Sequence, residues 1–218
     1  MGVQLPDPEV ATAVLIAAGY LAGSVPFGYW LVRLLRGVDI RRVGSGNIGA
    51  TNVWRAYGWR YGAPVMLLDV AKGFVPALLG VLLVGDLTGV LAGGAAMIGH
   101  WRPLFMRFAK GGKTVATAGG AFFALAPLVG LAAVGVWVVV VLLSRYISLG
   151  SMAAAVSLPF FAWAFGEPWP TIAFAAVAGA GVVVLHRANI RRLLAGTETR
   201  ASLRRGKRRR ARGTLRTS

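Results

Sequence analysis

Apolar residues fall along this chain in long runs rather than in amphipathic stripes. A run of about 20 residues crosses a bilayer. The first run extends from about Val10 to Leu35 and carries a break at Gly23-Ser24-Val25-Pro26. A polar stretch follows, to about Gly62. The second run, near Ala63 to Val84, holds Asp69 and Lys72 close to its start, and a third runs from about Leu87 to His100. After a second polar stretch, Trp101 to Thr114, the chain is apolar from Val115 to Tyr146. That length makes about 48 Å of helix, too long for one crossing of about 30 Å. Pro127 interrupts it, so a hairpin of two spans is expected, the first short or tilted. Gly150 to Leu185 repeats the pattern, broken at Gly166-Glu167-Pro168. The expected architecture is an all-α integral membrane bundle of about seven transmembrane helices. Five is the alternative, if either long stretch crosses once or re-enters.

Charge orients these spans. Charged residues make up 14% of the chain, yet the net charge is +17. The segment from Arg33 to Arg60 at the end of the first span holds Arg33, Arg36, Arg41, Arg42, Arg55 and Arg60; Arg102, Arg107, Lys110 and Lys113 follow the third. Arg145 and every basic residue from Arg187 onward fall on the same side. The other side exposes Asp7, Glu9, Asp86 and Glu167 with no Lys or Arg. Basic loops stay in the cytoplasm, so the N-terminus is expected outside and the C-terminus inside. The first run lacks a basic start and a small-residue cleavage site, and reads as a retained span rather than a signal peptide. Residues 1–200 read as a single transmembrane domain and 201–218 as a basic, disordered cytoplasmic tail suited to anionic lipid. The tail lacks the aromatics of a single-strand nucleic-acid binder. Cysteine is absent, and two histidines without a carboxylate cluster make no recognisable metal site.

Three polar segments carry candidate chemistry. The first is Gly44-Ser45-Gly46-Asn47-Ile48-Gly49-Ala50-Thr51-Asn52-Val53-Trp54-Arg55. It matches G-x-G-x-x-G formally, but the dinucleotide fingerprint needs a strand before it and a strand–helix–strand unit around it. What survives is close backbone approach to an anion beside a helix N-terminus. Ser45, Thr51, Asn52 and Arg55 add donors, the last three at helical spacing. The second segment runs from Gly99-His100 to Lys110-Gly111-Gly112-Lys113-Thr114-Val115-Ala116-Thr117. Its Gly112-Lys113-Thr114 imitates a nucleotide P-loop, but Arg107 stands where the first glycine belongs. Two glycines flanked by lysines at the start of an apolar helix still suit a phosphate. The third is His186-Arg187-Ala188-Asn189-Ile190 through Gly196-Thr197-Glu198. His186 and Asn189 share a helix face, and histidine at a membrane edge suits proton transfer. Asp69 and Lys72 have the spacing of an internal ion pair.

Together these segments resemble the three cytoplasmic motifs of the bacterial acyl-phosphate:glycerol-3-phosphate acyltransferases. Gly23-Ser24-Val25-Pro26-Phe27-Gly28 and Asp69-Val70-Ala71-Lys72-Gly73 also look like that family, and the resemblance covers about residues 15 to 200. The second motif departs from it: Ala109 is an extra residue, and Thr114 stands where glycine is usual. The resemblance implies transfer of a fatty acyl group from acyl phosphate to the 1-hydroxyl of glycerol-3-phosphate, giving lysophosphatidic acid and phosphate in phospholipid biosynthesis. It implies no cofactor and no metal, a bacterial inner-membrane location, and a site facing the cytoplasm. The other large acyltransferase class separates His from Asp by four residues; Phe105 and Arg191 occupy those positions here. The expected catalytic residues are His186, Asn189, Ser45 and Asn52. Gly46, Asn47, Thr51, Arg55, Lys110, Gly111, Gly112, Lys113 and Thr117 are expected to bind the phosphate and acyl-phosphate groups. A carrier for small phosphorylated molecules is the rival reading, although such a site belongs near mid-membrane.

Overall fold

The computed structural model describes residues 7–201. The expected basic tail, from residue 202 onward, lies outside the described residues. Helix α1 spans Pro8–Ser24, opened by Asp7, whose carboxylate accepts the Glu9 N–H at 2.9 Å. It stops where Pro26 supplies no N–H, and α2 (Phe27–Arg36) continues to a left-handed Gly37. A 3-10 turn at Ile40–Arg42 leads into α3 (Ala50–Tyr57) and then α4 (Trp59–Leu83). Helix α5 (Asp86–Trp101) is followed by a loop with one 3-10 turn at Leu104–Met106. The remaining helices are α6 (Val115–Leu125), α7 (Pro127–Ser144), α8 (Ile147–Ala164), α9 (Trp169–Leu185) and α10 (Arg187–Leu194).

The hairpin expected between Val115 and Tyr146 breaks at Ala126, immediately before Pro127. With 11 residues, α6 reaches about half of a hydrocarbon thickness. Among the described residues, four stretches are long and apolar enough to cross a membrane: Pro8–Arg36, Trp59–Leu83, Pro127–Ser144 and Ile147–Ala164. The pair α9 and α10, bent by 56° between them, makes a fifth if taken as one broken span. The first polar stretch differs from a plain loop. It contains the amphipathic α3, and α4 begins before Gly62.

Close helix contact comes from small residues, as in lipid, where apolar burial alone does not distinguish protein from solvent. Gly19 and Gly23 bring α1 onto the Ala92 and Ala96 carbonyls of α5. Gly73 and Gly120 bring α4 against α6, each over the other helix's backbone. Phe122 of α6 stacks on Phe174 of α9 at 5.1 Å between ring centroids. They anchor the larger apolar core, which includes Val129, Leu158 and Ala178. A second, smaller core of Val32, Ile40, Ile48, Val53 and Val65 seats the first polar segment on α2 and α4.

Candidate active site

The first segment is shaped by one side chain. Asn52, in the first turn of α3, accepts the Ser45 N–H at 3.0 Å and donates to the carbonyls of Val43 at 3.0 Å and Asn47 at 2.8 Å. It is buried, and both ends of its amide are engaged. These bonds turn Asn52 inward, where it holds the loop rather than facing outward with Arg55. Asn47 works similarly, its Oδ1 accepting the Gly49 N–H at 2.8 Å, and the Gly46 N–H is given to the Val43 carbonyl. Ser45, Thr51 and Arg55 remain exposed on the outer side. Arg55 reaches across to donate to the Thr199 carbonyl at 3.2 Å, joining the first segment to the third.

The second segment also departs from expectation. The amides of Gly111 and Gly112 donate to the carbonyls of Trp101 and His100 at 3.0 and 2.9 Å. They are spent on the end of α5 and do not cradle an anion. Both positions need glycine for space: a Cβ on Gly111 would overlap the His100 carbonyl, and one on Gly112 would overlap the His100 imidazole. The free amides lie one turn further on. The N-cap of α6, Thr114, gives no side-chain cap, so the first-turn N–H groups beside Lys113 keep their positive end open. Thr117 is fully buried and its Oγ1 has no hydrogen-bond partner among the described residues. Lys110 is exposed.

The third segment meets the second at Lys113. Its ammonium donates to Asn189 Oδ1. Asn189 Nδ2 in turn donates to Glu198 Oε1 at 2.8 Å. Glu198 also accepts from Ser148 Oγ at 2.8 Å and from Arg192 Nε at 2.6 Å. Burial pushes the Glu198 carboxyl up, but the bonds from Asn189, Ser148 and Arg192 outweigh it and hold the group below its ordinary range. Burial pushes Lys113 down to about 8, helped by Arg192, Lys110 and Arg55 and opposed by Glu198. His186 sits at the bend between α9 and α10, and its Nδ1 lies 2.8 Å from the Val182 carbonyl. A carbonyl only accepts, so Nδ1 carries the hydrogen and Nε2 is left as a base.

Ser148, Arg192 and Glu198 were absent from the expected site. Glu198 had a signal, as an isolated carboxylate in a basic segment. Ser148, within an apolar helix, had none. A cavity of about 500 Å³, lined by Tyr29, Arg33, Asp39, Arg41 and Arg42 among others, shares no residue with the Lys113–Asn189–Glu198 network. That network joins the second segment to the third, and Arg55 ties the first segment to Thr199 beside it.

Helices that pack through small residues, with exposed apolar flanks and a cationic site made by the loops at one end, define a polytopic membrane enzyme. The family model for glycerol-3-phosphate acyltransferase matches residues 13–196. The chain belongs to that family. A glycerol-3-phosphate acyltransferase of Synechococcus sp. (strain JA-3-3Ab) is 45% identical over 194 residues, 88% of this chain and 95% of that protein. One from Aquifex aeolicus (strain VF5) is 47% identical over 188 residues, 85% of this chain and 97% of that one. The fold superposes with a TM-score of 0.85 on the crystal structure of PlsY, an integral membrane glycerol 3-phosphate acyltransferase, in its glycerol 3-phosphate form. That structure is 44% identical, the match covering 88% of this chain and 96% of the other. The lysophosphatidic acid form gives 0.81 at the same identity, over 87% and 94%.

Proposed function

We propose that this protein moves a fatty acyl group from acyl phosphate to the 1-hydroxyl of glycerol-3-phosphate, at the cytoplasmic edge of a bacterial inner membrane. One observation supports this most: Lys113 and Arg55, from separate segments, reach Asn189 in the third segment and Thr199 immediately after it. Both substrates are anions, one soluble and one lipid-borne, so a cationic site at a membrane edge suits them jointly. Lys113, Arg55 and the open first turn of α6 hold phosphate oxygens. Ser45 and Thr51 supply outer donors, with Lys110 at the rim. Gly46, Asn47 and Asn52 keep the first loop in shape, and Gly111 and Gly112 do so for the second.

The 1-hydroxyl oxygen attacks the acyl carbon, the carbon–oxygen bond to phosphate breaks, and phosphate leaves with that electron pair. His186 Nε2 takes the hydroxyl proton, or the departing phosphate takes it. Asn189 keeps one N–H beyond its bond to Glu198, which can polarise the acyl carbonyl. Acyl phosphate is already activated, so direct transfer needs no covalent enzyme intermediate. Ser45 as an acyl carrier is less supported, because its hydroxyl has no base in hydrogen-bond reach among the described residues. The one-sided charges call for an odd number of crossings with the N-terminus outside; seven is the reading that counts α6 as a short member. Initial rates at varied concentrations of both substrates test the route: intersecting lines support direct transfer, and parallel lines overturn it.

A further inference from the structure

We propose that Asp69, Lys72 and His100 form a buried brace that positions Lys113, acting through the backbone of the second segment. The three side chains are almost entirely removed from the surface. Asp69 Oδ1 lies 2.7 Å from Lys72 Nζ and 3.7 Å from His100 Nδ1. Lys72 also donates to the Val25 carbonyl at 3.0 Å, at the break between α1 and α2, with Phe27 against its ammonium. The group thus ties α1, α4 and α5 together where the second segment begins.

Its outlet is His100. The His100 carbonyl accepts the Gly112 N–H, and the imidazole lies against the Gly112 Cα, leaving no room for a methyl. Lys113 is the next residue, so the tilt of that ring and peptide sets where the ammonium points. Charges buried at this depth are costly and tend to be retained for a task. Nothing in the acyl-transfer step uses these three groups, which fits positioning residues. The role in substrate binding rests on the reaction proposed above; the structural coupling does not.

The test uses purified full-length protein and four variants: His100→Gln, Asp69→Asn, Lys72→Met and the neutral pair D69N/K72M. The neutral pair removes both charges together, so it keeps the question open to measurement if a single variant fails to fold. Modification of lysines by an amine-reactive acylating reagent is followed by mass spectrometry, with exposed Lys110 as internal reference. Expected is a rise of about fivefold or more in Lys113 modification relative to Lys110 in His100→Gln and in the neutral pair. With it, KM for glycerol-3-phosphate rises about tenfold while kcat changes less than about threefold. Unchanged Lys113 modification in folded variants overturns the brace, as does a neutral pair that regains both Tm and KM. Wild-type protein without turnover would instead count against the substrate reading, and the modification ratio would still decide this one.

Discussion

Lys113 as a phosphate ligand should make the anion affinity of this site fall at alkaline pH. With its pKa pushed down to about 8, the ammonium is about half charged at pH 8 and about one-tenth charged at pH 9. A phosphate oxygen about 4 Å away adds about 4 kcal/mol per unit charge at an effective dielectric of 20. That is enough to return the bound amine to its ordinary range, so binding takes up a proton above pH 8. The sign follows directly. Below pH 8 the free amine is already charged and the Kd for glycerol-3-phosphate is flat on this account. Above it, Kd rises about tenfold per pH unit, or about 1.4 kcal/mol. Titration calorimetry in detergent, in buffers of different ionisation enthalpy, reads both the Kd and the proton uptake. Lys113→Arg holds its charge throughout and should lose the alkaline dependence. A wild-type Kd that stays constant from pH 7.5 to 9, or the same dependence in Lys113→Arg, refutes the reasoning.

Glu198→Gln removes the one anion that supports the Lys113 charge, so the onset of weakening should move to lower pH, seen in a pH series of kcat/KM. Asn52→Ala deletes bonds to Ser45, Val43 and Asn47 and should cost about 1–3 kcal/mol of stability with lower activity; thermal unfolding in detergent measures it. Gly73→Ala places a methyl on the Thr117 carbonyl and should lower Tm by separating α4 from α6. His186→Ala should slow turnover by about 10²–10⁴-fold if Nε2 is the base. A loss below tenfold in single-turnover rate assigns the proton to the leaving phosphate.

The helix breaks were legible because proline and glycine act locally. Pro26, Pro127 and the turn before Trp169 interrupt helices where the sequence places them. The one-sided arginines and lysines likewise marked the segments that converge. What spacing did not disclose was the fate of particular donors. The Gly111 and Gly112 amides looked free, but the end of α5 folds back to take them. Asn52 looked like a site residue because Asn, Thr and Arg at helical spacing resemble one face. Its real partners are carbonyls within its own loop, and only the loop's path shows that. Ser148 and Glu198 meet across 50 residues, and Lys113 and Asn189 across 76, separations at which no local periodicity holds information.

The central claim is that these three segments form one acyl-transfer site. Purified protein supplied with acyl phosphate and glycerol-3-phosphate, followed for phosphate release, tests it most directly. The account predicts release that requires both substrates, yields lysophosphatidic acid in equal amount, and falls at least tenfold in Arg55→Ala and in Lys113→Ala. No release with any acyl chain length, or release indifferent to both substitutions, would contradict it.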